Sequence, residues 1–142
     1  IVTGDWSSDV CSSDLIAQLK TKITQIHQIN SGETVGYNCG WKATKNTRVA
    51  VLPIGHADGF LRQYGHGNSW VMINGQKAYV VGNVCMDMIM VDIRDIPCCE
   101  KSEVVVIGAG ARADELAKNA GTISYELLSA LGNRITRVLK TK

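Results

Sequence analysis

The stretch Trp70–Ile93, WVMINGQKAYVVGNVCMDMIMVDI, decides the fold. Val71-Met72-Ile73 and Ala78–Val81 flank Asn74-Gly75. Asn and Gly both tolerate positive φ, which a two-residue hairpin demands, so the segment predicts an antiparallel hairpin. Val84–Ile93 then alternates with period two. Val84, Met86, Met88 and Met90 share one face; Cys85, Asp87, Ile89, Val91 and Ile93 share the other. This predicts a further strand with Met88 and Met90 as core filler. Parity also puts Asp87 and Asp92 on opposite faces, which argues against a glycosidase-type carboxylate pair within this strand.

Working outward, most of the chain reads as short strands. Leu19–Ile29 mixes β-branched and polar residues as a half-exposed strand does. Asn30-Ser31-Gly32 is a turn, Glu33–Gly36 is extended, and Asn38–Asn46 is loop-like. Arg48–Ile54 and Glu103–Ile107 read as buried strands, with Pro53 marking an edge or bend. Two short helices follow. Asp114–Asn119 stops at Gly121. Tyr125–Leu131 starts after Thr122 and Ser124, either of which could cap it. Arg134–Leu139 reads as a last strand. The expected fold is therefore mainly β: a small antiparallel or Greek-key β-barrel with two short helices near the C-terminus.

The bulk numbers fit one domain with a real core. The chain has 142 residues, 45% hydrophobic and 20% charged, an ordinary globular composition. No apolar run approaches a membrane span. A formal charge of +2 is too small and dispersed to suggest nucleic acid. Of five cysteines Cys98 and Cys99 are adjacent and Cys11, Cys39 and Cys85 are scattered, and the absence of C-x-x-C spacing argues against a metal site. With no secretory signal visible, they read as reduced thiols of a cytoplasmic protein.

Residues 4–15, GDWSSDVCSSDL, do not fit the rest. The segment is polar, rich in Ser and Asp, and lacks any period of 2 or 3.6. It resembles translated sequencing adapter, so residues 1–15 are expected to be a non-native or disordered leader and 16–142 the domain. Without the leader three aspartates and no basic residue are lost, and the charge becomes more positive.

Two local signals could carry chemistry. Gly108-Ala-Gly110 follows a strand and opens a helix, as a dinucleotide fingerprint does. About thirty residues remain after it, too few for the rest of a doubly wound sheet, so a glycine-requiring turn is the better reading. His56-Ala57-Asp58-Gly59 sits just after a buried strand, where sites are often built. An imidazole, with an ordinary pKa of about 6.5, suits proton transfer. His66 in GHGN is expected to be exposed. His27 is expected on a strand, at the surface or in the barrel wall.

In combination, RVAVLPIGHADGF (Arg48–Phe60), VMINGQKAYVVGNVCMDMIMVDI (Val71–Ile93), GTISYELL (Gly121–Leu128) and RVL (Arg137–Leu139) resemble the C-terminal β-domain of alanine racemase. The similarity runs from about Leu19 to Leu139, and looks nearest to versions fused behind a cell-wall peptide ligase. The resemblance implies an N-terminal (β/α)₈ barrel in the same protein, whose lysine binds pyridoxal 5'-phosphate (PLP). It also implies a head-to-tail homodimer, a small amino-acid substrate and a supply of D-alanine for peptidoglycan. Two bases on opposite faces of the substrate move its α-proton, and the ring is the electron sink. One base is the barrel lysine. The resemblance puts the other at the tyrosine of a PIGYADG-like motif, a position held here by His56. It gives Met86 a substrate contact and Tyr125 a contact to the PLP phosphate. Where an arginine is common, three residues before the methionine, this chain has Asn83.

A tyrosine of ordinary pKa about 10 needs help to act as a base at neutral pH, whereas a histidine needs less. Imidazole is also smaller, so His56 either replaces the base, lines the pocket, or leaves the enzyme weak. Lys77 and Lys101 read as exposed, so this piece alone is expected to bind PLP poorly and to be inactive. Two alternatives remain open at this point: a PLP-dependent amino-acid decarboxylase, which shares the architecture, and a non-catalytic β-barrel binding module.

Overall fold

The computed structural model describes residues 17–140. The reading of residues 1–15 as a foreign leader, with Trp6 and Cys11, lies outside these.

Nine strands form among the described residues: β1 (Leu19–Lys22), β2 (Gln25–Ile29), β3 (Thr34–Val35), β4 (Trp41–Lys42), β5 (Thr47–Leu52), β6 (Trp70–Ile73), β7 (Gln76–Val81), β8 (Ile89–Asp92) and β9 (Glu103–Ile107). Two helices follow, α1 (Ala113–Asn119) and α2 (Ser124–Ser129). Seven strands make one antiparallel sheet in the order β1-β9-β6-β7-β8-β5-β2, and β3–β4 is a separate two-stranded ribbon.

The two edges of the large sheet are consecutive in sequence. Only Ile23 and Thr24 separate β1 from β2. Ile23 N–H donates to Ser102 O at 3.1 Å on the β9 side, and Thr24 N–H donates to Val51 O at 3.0 Å on the β5 side. The sheet must therefore curl until one bent piece of chain serves both edges, which leaves few unpaired edge groups. The expected mainly β, barrel-like fold with two short C-terminal helices is what forms.

The core lies inside the curl. Leu52, Val71, Ile73, Ile89, Val91, Ile93, Val104 and Val106 are fully buried, and Leu116 of α1 and Leu127 of α2 join them. The hairpin forms as predicted, with Asn74 at φ 48° and Gly75 at φ 74°, and with Trp70 opposite Tyr79 and Ile73 opposite Gln76.

Four expectations need correction. Leu19–Ile29 is not one strand but two, broken at Ile23–Thr24 where the chain passes from β9 to β5. Residues 84–88 are not strand. Val84 and Cys85 are both buried, while Met86, Asp87 and Met88 are exposed, which breaks the alternation. Cys85 N–H donates to Met88 O at 3.1 Å and closes a turn. Met88, expected in the core, is 39% exposed. Residues 134–139 are not strand either. The Arg137 guanidinium bonds Leu131, Gly132 and Ile135 carbonyls, folding this segment onto its own preceding turn. Finally, neither Thr122 nor Ser124 caps α2. Ile123 holds the cap position without a side-chain bond, and Thr122 Oγ1 instead meets the Glu126 carboxylate.

The Gly108–Ala111 turn is structural. Gly108 (φ 153°) and Ala111 bridge each other, and Gly110 (φ 80°) accepts Trp70 Nε1–H at 2.9 Å. A Cβ on Gly110 would press on the Met72 side chain.

Candidate active site face

β5 ends at Leu52, and Pro53–Gly55 leads into a single 3₁₀ turn, His56–Asp58. That turn is tied to the 85–88 turn by main-chain bonds. His56 N–H donates to Cys85 O at 2.9 Å and Ala57 N–H to Met86 O at 2.8 Å. Gly55 makes the approach possible. A Cβ there would lie 2.5 Å from Cys85 O and 2.7 Å from the amide nitrogens of Asp87 and Met88. Two motifs about thirty residues apart are thus held backbone to backbone, with His56 and Met86 both exposed; Met86 is 61% accessible.

Asp58 locks the far side of the turn. Its carboxylate is buried and accepts Gly55 N–H at 3.0 Å. It also takes both arms of the Arg134 guanidinium, Nε at 2.7 Å and Nη2 at 2.6 Å. The hydrogen bonds from Arg134 hold its pKa below the usual carboxylate range, against burial, which pushes the other way. The Asp58 carbonyl accepts Gly132 N–H at 2.9 Å. Gly59, at φ 99°, lies under the C-terminal end of α2, where a Cβ would strike Ala130 O. The His56 turn is therefore clamped between the 85–88 turn and the 130–134 segment.

Tyr125 lies on the first turn of α2, 68% exposed. The structure brings His56 and Met86 together directly. Tyr125 lies at the end of α2 opposite to Ala130, the residue that packs over Gly59.

One residue of this face was missed. Tyr37, which the sequence reading left between the extended Glu33–Gly36 and the loop-like Asn38–Asn46, is 65% exposed and opens a 3₁₀ turn, Tyr37–Cys39. Its carbonyl accepts Asn83 Nδ2–H at 2.9 Å. Its main chain also lies against the Cys85 thiol, partly offsetting the rise in that thiol's pKa caused by burial and by Asp87. Gly36 (φ 82°), Asn38 (φ 54°) and Cys39 (φ 50°) surround it with left-handed backbone. Strain of this kind persists only where the surroundings over-determine it, and it clusters at functional sites. The sequence signal was the flanking Gly36 and Asn38, residue types that tolerate positive φ.

His66 is exposed, as expected, and His27 lies exposed on β2. A groove of about 570 Å³ lined by Trp41, His66, Lys77, Tyr79, Arg94 and Asp95, among others, holds none of His56, Met86 or Tyr125. Lys77 sits over the Trp70 ring, 4.0 Å from its centroid, so it is already engaged. Among the described residues no cluster of three or more His, Cys, Asp or Glu could hold a metal ion, and no helix is long and apolar enough to cross a membrane. The four described cysteines are free thiols.

The family model described as alanine racemase, C-terminal domain, matches residues 16–139. An alanine racemase of Clostridium novyi (strain NT) is 43% identical over 129 residues, which span 87% of this chain and 33% of that protein. Among solved structures, an alanine racemase of Clostridium difficile 630 in complex with cycloserine superposes with a TM-score of 0.78. It is 38% identical and covers 93% of this chain and 36% of its own. An alanine racemase from Bartonella henselae with covalently bound pyridoxal phosphate gives a TM-score of 0.82 at 29% identity, covering 87% of this chain and 34% of its own. The chain thus spans about a third of the length of these relatives.

Proposed function

Because this chain belongs to the alanine racemase C-terminal domain family, we propose that it is the β-domain of a PLP-dependent racemase that interconverts L- and D-alanine. The observation that carries this reading is an exposed face without walls of its own. His56, Met86 and Tyr37 project from backbone segments that are tightly bonded to each other. Such a face is half of a site and needs a second body to exclude water. An N-terminal (β/α)₈ barrel of the same protein, and a head-to-tail partner subunit, are the proposed second body. Residues 16–142 are the proposed domain, and the family match beginning at residue 16 supports treating 1–15 as foreign to it. A cytoplasmic location, a role in peptidoglycan synthesis and a ligase fusion upstream belong to the same proposal.

The exposed groups fit such a cofactor. The Tyr125 phenol suits a phosphate oxygen as hydrogen-bond donor, and the Met86 thioether is a soft, adaptable neighbour for a small substrate. The covalent lysine is assigned to the barrel. When bound, pyridoxal phosphate supplies the electron sink for the carbanion.

The resemblance assigns the second base to the position that His56 holds in this chain. The structure adds a second candidate, and we favour it: the Tyr37 phenol. The resemblance calls for a tyrosine, and Tyr37 is the tyrosine held against Cys85, next to Met86, by a strained turn. On this reading Tyr37 takes the α-proton from L-alanine. His56, whose main chain is bonded to Cys85 on the other side, lines the pocket and supports proton movement.

The test is the full-length, PLP-loaded protein offered L-alanine, L-lysine and L-ornithine separately. The proposal expects D-alanine to form without carbon dioxide. Carbon dioxide from a basic amino acid would select the decarboxylase. Turnover of none of the three would select the binding module.

A further inference from the structure

Asn83 occupies the point where two strained loops meet. Five non-glycine residues among those described have positive φ, and three of them, Asn38, Cys39 and His66, lie on the two loops that Asn83 joins. Its Nδ2 donates to Tyr37 O at 2.9 Å, and its Oδ1 faces His66 Nε2 at 2.8 Å. A carbonyl oxygen only accepts, so the Tyr37 bond fixes the amide orientation. Oδ1 then only accepts, so His66 carries its proton on Nε2. Space for the amide is made by Gly40, where a Cβ would lie 2.7 Å from Nδ2. On the other side Gly82, directly before Asn83, accepts His66 N–H at 2.8 Å.

We propose that Asn83, seated by His66, is a positioning residue for Tyr37: it sets where the phenol stands relative to Met86 without touching substrate. This rests on the reading of Tyr37 as the base. The arrangement is specific to the residues of this chain, because a neutral amide with one donor arm and one acceptor arm can link a carbonyl to an imidazole N–H. A longer cation has no acceptor for His66. A misplacement of about 1 Å costs up to about 10²-fold in rate, so the effect should appear in kcat more than in KM.

The experiment uses the full-length enzyme with Asn83→Asp, Asn83→Ala, His66→Ala and Tyr37→Phe. Asn83→Asp keeps the acceptor for His66 and loses the donor to Tyr37. The expected result is a fall of about tenfold or more in kcat for Asn83→Asp and Asn83→Ala, with little change in KM. His66→Ala should show a smaller fall of the same kind. In a Tyr37→Phe background Asn83→Asp should cost nothing further, since it acts through Tyr37. A readout independent of turnover is amide hydrogen exchange in residues 36–42, where Gly40 N–H donates to Tyr37 O; it should quicken in Asn83→Asp. If Asn83→Ala does not fold, the Asn83→Asp exchange result decides. Wild-type kcat and exchange in Asn83→Asp, with Tyr37→Phe disabled, would overturn the positioning role alone. Full activity in Tyr37→Phe would overturn the base assignment and this inference with it.

Discussion

The Arg134 guanidinium closes on both oxygens of Asp58, at 2.7 and 2.6 Å, and so ties the C-terminal segment to the turn that presents His56. The two residues are 76 positions apart, yet the buried carboxylate has few other partners. The bond explains why residues after α2 turn inward here instead of adding a strand.

Asp58→Asn tests that relationship. It keeps the volume and loses the charge-assisted pair. A cost of about 1–3 kcal/mol is expected, toward the lower end because Arg134 is largely exposed. The sign of the pH dependence follows from the lowered folded pKa. The ion pair stabilises the fold above the ordinary carboxylate range, and that stability is lost as the pH falls through the folded value. Thermal melts of the wild type should therefore lose more stability below about pH 4 than melts of Asp58→Asn. Parallel curves would remove Asp58 from the account.

Gly55→Ala should separate the two motifs. The added methyl meets three main-chain atoms within 2.7 Å, and main chain cannot swing aside as a flexible side chain does. A loss of about 1–3 kcal/mol is expected from overpacking, with loss of turnover exceeding what stability explains. Unchanged activity at a temperature well below the melt would show that the contact between His56 and the Cys85 carbonyl is dispensable.

Tyr64→Phe makes the opposite prediction. The Tyr64 ring is fully buried against Phe60, with ring centroids 5.2 Å apart, and its hydroxyl has no hydrogen-bond partner of standard geometry among the described residues. Gln63 and the Glu126 carboxylate come near it, and burial raises its pKa. Removing an unsatisfied buried hydroxyl should leave the melting temperature unchanged or raise it, by up to about 1–3 kcal/mol of stability. A clear loss would mean that the hydroxyl is bonded in solution.

The parts legible in the sequence were the local ones. Asn74-Gly75 set the hairpin, and β5 and β9 followed from continuous apolar runs. Residues 84–88 misled because alternation is a local signal. The carbonyls of Cys85 and Met86 are used by His56 and Ala57, a contact about thirty residues away that no period encodes. Arg134–Leu139 misled for the same reason, since Asp58 claims Arg134. The site was half legible. His56, Met86 and Tyr125 came from the resemblance, and the structure joins the first two. Tyr37 escaped because it falls at the junction of two short segments that carry no periodicity, and its importance rests on backbone strain and on Asn83, which appear only in three dimensions.

The most direct measurement is solvent-deuterium exchange of the α-proton, followed separately for L- and D-alanine, in full-length Tyr37→Phe and His56→Ala enzymes. The account predicts that Tyr37→Phe loses exchange from L-alanine while keeping much of it from D-alanine, where the barrel lysine acts. His56→Ala should show a modest loss on both. The account is contradicted if His56→Ala alone abolishes exchange from L-alanine and Tyr37→Phe leaves it intact; the base would then be His56.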